Sequence, residues 1–234
     1  MAITFLQAIN RTLVKLREDE VSDLTQADSY QKLIAAFVNE AKEEVENAWT
    51  WNTLNDLETV TTVAGTSEYA LTGWGDEFTV SHVYNSSLNY MMRGPMPNWK
   101  LDQWEEISTA SGTVLWWDIY QTSGSGDAQI RFWPEPAGVY TIKVWGFHHQ
   151  AYLETATDTS TVVTVPWKPV VFGAYYRAVS ERGEDGGQVY DEAVQAYENA
   201  LSDAVALDAS QGNTQTEWHN EDLNRKSSSY IGLP

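Results

Sequence analysis

The hydrophobic period of this chain changes twice, and that change constrains its fold more than any single motif. Near the N-terminus apolar residues recur at three- and four-residue steps. Tyr30, Leu33, Ile34, Phe37, Val38, Ala41, Val45, Ala48 and Trp49 form one such stripe, uninterrupted by Gly or Pro, and Lys32, Glu40, Lys42, Glu43, Glu44 and Glu46 lie off it. This is the pattern of an amphipathic helix. Ser29 is expected to cap it, and a shorter helix, capped by Thr4, carries Phe5, Leu6, Ile9, Leu13 and Leu16 on one face. Glu18, Asp19, Glu20 and Asp23 sit where a helix dipole disfavours acids, so the first helix should stop there.

From about Asp56 to Val165 the helical period is lost. β-Branched and aromatic runs, Thr59–Val63, Glu68–Leu71, Phe78–Val83, Thr113–Tyr120, Ala128–Phe132 and Val139–Phe147, alternate with Gly, Pro and Ser turns. Thr59–Val63 and Glu68–Leu71 are expected to pair as a hairpin. A second hairpin is expected over Asp127–Phe147, with Pro134–Gly138 at its turn. Ser123-Gly124-Ser125-Gly126-Asp127 reads as a hairpin tip, and Trp99–Ile107 as a short helix inside the zone. Nine of the eleven tryptophans fall between Trp49 and Trp145. They supply either a small aromatic core or exposed stacking platforms for sugars.

The helical period returns at Pro166. Trp167, Val170, Val171, Ala174, Tyr175, Ala178 and Val179 form one stripe; Gly183–Gly187 breaks the chain; Tyr190, Ala193, Val194, Tyr197, Ala200, Leu201, Ala204 and Val205 form the next. Four stripes need partners, and packing together satisfies them. The expected architecture is therefore α+β: a four-helix bundle (residues 1–55 and 166–209), a Trp-rich antiparallel β domain (56–165) inserted between helices 2 and 3, and an extended C-terminal tail (210–234).

That tail is rich in Ser, Asn and Gln, as disordered segments are. It nevertheless carries Trp218, Leu223, Tyr230, Ile231, Leu233 and Pro234. Spaced apolar anchors on a polar strip are expected to order on a partner.

Catalytic and metal-binding patterns are sparse. His148 and His149 are adjacent, so on a strand they face opposite ways and would not chelate one ion. Asp185-Gly186 lacks the alternating oxygen ligands of a calcium loop. No P-loop, HExxH or Gly-x-Ser-x-Gly occurs, and no cofactor is expected. Asp118 beside Trp116-Trp117, and Glu105-Glu106 beside Trp104, are the acids a glycosidase or sugar-binding reading would choose. The net charge of −19 is spread along the chain, which disfavours binding to a phosphate backbone. Such a surface would also suit a wall past which DNA slides. There is no apolar run of membrane-spanning length, the start Met1-Ala2-Ile3-Thr4-Phe5 predicts no signal peptide, and cysteine is absent.

In the order of these elements the chain resembles the head-to-tail adaptors (connectors, or gatekeepers, of the tail tubular protein A-like kind) of tailed bacteriophages. The resemblance rests on Thr59–Leu71, Leu101-Asp102-Gln103-Trp104-Glu105, Ile130–Pro136 and Tyr140–Trp145. It continues in the last helical pair, with Asp185-Gly186 at its turn and Tyr190 and Tyr197 on its final helix. It implies a non-enzymatic virion protein at the head–tail junction, assembled in the host cytoplasm. Such a protein forms a ring, usually a homododecamer, beneath the portal protein. The ring lines a channel through which DNA passes without sequence-specific contacts, and no membrane is involved. The extended C-terminus docks on the portal, and the β part meets tail nozzle, tube or fibre proteins. The alternative reading is a carbohydrate-binding β domain of a virion or secreted protein.

Overall fold

The computed structural model describes residues 2–25, 27–108, 110–124, 126–155, 157–184 and 187–211. They fall into two compact units. One joins the chain up to Thr53 with the chain from Tyr152 onward, and the other is Leu54–Ala151.

The first unit is helical. Helix α1 (Phe5–Lys15) starts with a capping box in which Thr4 and Gln7 exchange side-chain and backbone hydrogen bonds. Helix α2 (Ser29–Ala48) starts the same way, but with Asp28 as the cap and Gln31 as its partner, so Ser29 is the first helical residue and not the cap. Helix α4 (Trp167–Val179) runs on from Pro166 and ends in a π-helical turn, Ser180–Glu184, where Gly183 turns to φ +81°. Helix α5 (Gln188–Ser210) follows. Helix α4 is the hub: it packs on α5 and α2 and, less extensively, on α1. Gly173 permits the close approach to α2, since a Cβ there would stand 2.8 Å from the Ala41 methyl. Buried Ile3, Phe5, Ile9, Leu13, Ile34, Val38, Val45, Trp51, Val170 and Val171 fill the space around it.

The segment from Tyr152 to Val165 belongs to this unit. Buried Asn39 of α2 clamps it by accepting from the Leu153 N–H and donating to the Leu153 carbonyl, both at 3.0 Å. The Phe5 amide donates to Thr161 and the Val163 amide to Ile3, at 2.8 and 3.0 Å. Val163 and Val165 are buried, and among its described residues the segment joins no named strand, making only an isolated bridge from Val162 to Thr4.

The second unit holds three separate sheets. The largest has the order β1–β9–β3–β4, from Asn55–Thr61, Thr141–His148, Phe78–Asn85 and Tyr90–Met91. The second has the order β2–β7–β6, from Glu68–Ala70, Ala128–Trp133 and Trp116–Thr122. A short parallel pair joins β5 (Ser111–Gly112) to β8 (Glu135–Pro136). Helix α3 (Asn98–Ile107) packs on β6. The core between the sheets contains Val60, Leu71, Trp74, Val83, Val114, Trp117, Ile130, Phe132, Ile142 and Val144.

This corrects the expected architecture. The fold is α+β, but it is not a four-helix bundle with an antiparallel β domain between helices 2 and 3. Five α-helices occur among the described residues, and the third lies among the strands. Local pattern marks a strand without naming its partner. The Thr59–Val63 and Glu68–Leu71 runs contribute β1 and β2, but these pair with β9 and β7 in different sheets, so they form no hairpin. Strands β7 and β9, expected to pair with each other, likewise lie in different sheets. Consecutive strands pair instead at β3–β4 and at β6–β7, the latter turn closed by Gly126 donating to the Ser123 carbonyl at 2.9 Å.

Candidate docking surfaces

Helix α5 is one-sided. Ala193, Tyr197 and Ala200 are buried at four- and three-residue steps, and of the α-helices it packs mainly on α4. All of its charged residues are acids (Asp191, Glu192, Glu198, Asp203 and Asp208), with no Lys or Arg between Gln188 and Ser210. Asp208 is buried at its C-terminal end, where it accepts from the Trp49 indole at 3.1 Å.

Helix α1 has the opposite charge. It carries Arg11 and Lys15 and no acid. The Arg11 guanidinium lies 4.0 Å from the Trp167 ring and the Lys15 ammonium 3.9 Å from the Phe172 ring. Cations stack there because aromatic faces are negative. Partial burial lowers the Lys15 pKa. Lys168, one residue into α4, stands on the same side, exposed. These three cations border two adjoining hollows of ≈ 430 and ≈ 660 Å³, which share Trp167, Lys168, Ala200 and Asp203 as lining. Val14 and Leu207, 52% and 62% exposed, lie on the rims. Glu20 and Asp203 also line the larger hollow. No carboxylate forms an ion pair with Arg11, Lys15 or Lys168 among the described residues. Two other cations of this unit are paired: Arg177 bonds Glu44 and lies 3.4 Å from Glu40, and Arg182 pairs with Glu18 at 2.6 Å.

The acids that a sugar site would have used serve a different purpose. Asp118 on β6 is fully buried and takes both the Nε and the Nη2 of Arg131 on β7, at 3.2 and 2.7 Å. The other guanidinium nitrogen, Nη1, donates to Asp102 at 2.7 Å and Glu105 at 3.4 Å, both on α3, and the Tyr120 ring lies 4.5 Å from the guanidinium carbon. Burial works against the Arg131 charge, but the three carboxylates outweigh it and raise the pKa. Burial raises the Glu105 pKa. Trp104, Trp116 and Trp133 pack on one another, with ring centroids 5.6 and 4.7 Å from Trp104. Asp118, fully buried and held by the arginine, cannot reach a glycosidic oxygen; Glu105, 42% exposed, bonds the same guanidinium and so helps tie α3 to the sheet. Glu106 takes no part in this network. On the outer side of α3, Trp99 and Ile107 are 67% and 74% exposed.

His148 and His149 do not converge. One ring lies 3.3 Å from Asp56 and the other 2.6 Å from Glu77. No cluster of three or more metal-ligating side chains occurs among the described residues. No described helix is long and apolar enough to cross a membrane. The tail anchors Trp218, Leu223, Tyr230, Ile231, Leu233 and Pro234 lie outside the described residues.

The chain matches none of the curated proteins. The family model described as SU10 adaptor protein matches residues 3–220, nearly the whole chain. The likeness to phage head-to-tail adaptors read from the order of elements thus agrees with an independent comparison: the chain belongs to the SU10 adaptor protein family, whose members are structural phage proteins and not typically enzymes.

Proposed function

We propose that the protein assembles as a ring beneath the portal of a tailed phage, joins capsid to tail, and lines the channel through which DNA leaves. The observation that carries this reading is the adaptor-family match over residues 3–220. Two features support it. Helix α5 buries one narrow stripe and leaves the rest of its surface free for a neighbour. The net charge of −19 repels a phosphate backbone, so DNA can pass without binding. The C-terminal residues act as the portal strap, with Trp218, Leu223, Tyr230, Ile231, Leu233 and Pro234 as anchors, since aromatic and aliphatic anchors dominate interface energetics. Repetition around a ring multiplies a weak strap into firm attachment. The Leu54–Ala151 unit meets tail nozzle, tube or fibre proteins.

The test is co-assembly with the portal ring encoded by the same genome, viewed by negative-stain electron microscopy with rotational averaging. Extra density of matching symmetry is expected for the full chain. A chain lacking residues 212–234 should keep its fold by circular dichroism and lose that density. Undiminished binding by the truncated chain would remove the strap, and absence of a ring with both proteins folded would remove the adaptor role.

A further inference from the structure

We propose that the hollow lined by α1, α4 and one side of α5 receives the opposite side of α5 of a neighbouring copy of this chain, in a head-to-tail contact repeated around the assembly. The inference rests on the ring reading above and assigns its two flanks. The receiving flank is apolar at its floor, with Trp167 and Phe172, and cationic at its edge, with Arg11, Lys15 and Lys168. In a chain with 33 acids and 14 cations, three cations gathered at one hollow against two acids are a local excess that an acidic surface would neutralise.

The same unit carries such a surface. On α5, Val194, Leu201 and Val205 are spaced by seven and four residues and are only partly buried. At about 100° per residue they form one seam, roughly half a turn from Asn199 and Asp203, which line the hollow. Asp191 and Glu198 border that seam, one helical repeat of seven apart, and both are exposed. An apolar seam edged by acids thus stands on one side of α5, and an apolar hollow edged by cations opens on the other. Because the two patches face different ways, one copy cannot satisfy both by turning on itself. The contact is heterologous, which closes into a ring when the rotation permits. A phosphate backbone suits the hollow less well, since the floor of Trp167 and Phe172 is apolar and matches the apolar seam of α5 while offering phosphate nothing.

The absence of cysteine makes the test clean. Chains carrying Lys15→Cys and chains carrying Glu198→Cys are mixed in equal amounts on portal rings and mildly oxidised. The mixed disulfide should exceed either homodisulfide by about tenfold, the ratio produced by a 1.4 kcal/mol preference. In parallel, Lys15→Glu with Lys168→Glu should lower incorporation by at least about tenfold, and adding Asp191→Lys with Glu198→Lys on the same chain should restore it. Dominant 15–15 or 198–198 disulfides, or charge-reversed chains that still assemble like the wild type, overturn the assignment while leaving the ring intact. If wild-type chains form no ring on the portal, the ring reading falls and takes this one with it.

Discussion

Arg131→Met should be the most damaging single change in the second unit. Arg131 is 2% exposed and, among the described residues, is the one cation paired with Asp118, which is fully buried. Removing it strands a carboxylate in the core, and breaking a buried pair in this way costs about 3–5 kcal/mol. The partners should respond unequally. Asp118→Asn keeps an acceptor beside the guanidinium, which still has Asp102 and Glu105, so the loss is that of a charged hydrogen bond, about 1.5–3 kcal/mol. The Asp102 side chain is 56% exposed, so Asp102→Asn should cost no more than about 1 kcal/mol. The double change Arg131→Met with Asp118→Val removes both charges together and should recover most of the loss, because buried pairs are often matched by apolar residues of similar volume. Urea unfolding followed by tryptophan emission reads the order, with a midpoint drop of roughly 2 M for Arg131→Met at ordinary slopes. Hydrogen exchange at β6 and β7 localises it. An Arg131→Met protein within about 1 kcal/mol of wild type would refute the reasoning, as would Asp102→Asn costing as much as Arg131→Met.

Further outcomes follow from the helical unit and from the sheet. Burial pushes the Glu44 pKa up, but Arg177, with the Tyr197 and Tyr176 hydroxyls, outweighs it and holds the carboxyl below its ordinary value. The unfolded chain therefore takes up that proton first, and the stabilisation, present at neutral pH, is lost as pH falls below about 4. Glu44→Gln should be less stable at pH 7 and should flatten the acid limb of the stability profile; an unchanged limb would contradict this. Gly173→Ala gains helix propensity but drives a methyl against Ala41, so it should destabilise by about 1–3 kcal/mol in thermal unfolding, and Ala41→Gly in the same chain should relieve the clash. Gly146→Ala on β9 would stand 2.6 Å from the Trp74 ring and should cost a similar amount, with a change in near-ultraviolet circular dichroism. Lys42 and Glu46 are 4% and 1% exposed and 3.4 Å apart, so Lys42→Met should cost several kcal/mol and Lys42→Met with Glu46→Leu much less, measured by the same unfolding assay.

Helix periodicity exposed α1, α2, α4 and α5 because each buries a stripe that the local sequence spells out. Thr4 and Pro166 were readable as starts for the same local reason. Strand pairing was not readable, because β1 meets β9 and β2 meets β7 across large sequence separations that no neighbouring residue encodes. The segment from Tyr152 to Val165 falls inside the expected β zone, but Asn39 of α2 and the backbone of Ile3 and Phe5 hold it to the helical unit. Helix α3 gave a weak signal because Leu101 is its only fully buried side chain, and its acids hold it in place. A signal for the Arg131 network was present all the same: a lone arginine between Ile130 and Phe132, and a lone aspartate between Trp117 and Ile119, each in an otherwise apolar strand. Isolated opposite charges in two such strands call for one another. The cationic hollow was hidden because Lys168 is distant in sequence from Arg11 and Lys15, and each is unremarkable in its own helix.

The helical unit is split in sequence, with α1 and α2 before residue 54 and α4 and α5 after residue 151. On the ribosome, α1 and α2 emerge with their apolar stripes bare, and the hub on which they pack does not yet exist. Synthesis of the stretch between Ala48 and Trp167 takes on the order of ten seconds at bacterial rates. During that interval the Leu54–Ala151 unit, continuous in sequence, can complete its own core. The nascent chain therefore passes through a state with one finished unit and one exposed helical pair, the surface a chaperone would bind. Released chains truncated just before Trp167 should yield a protease-resistant core from the second unit alone.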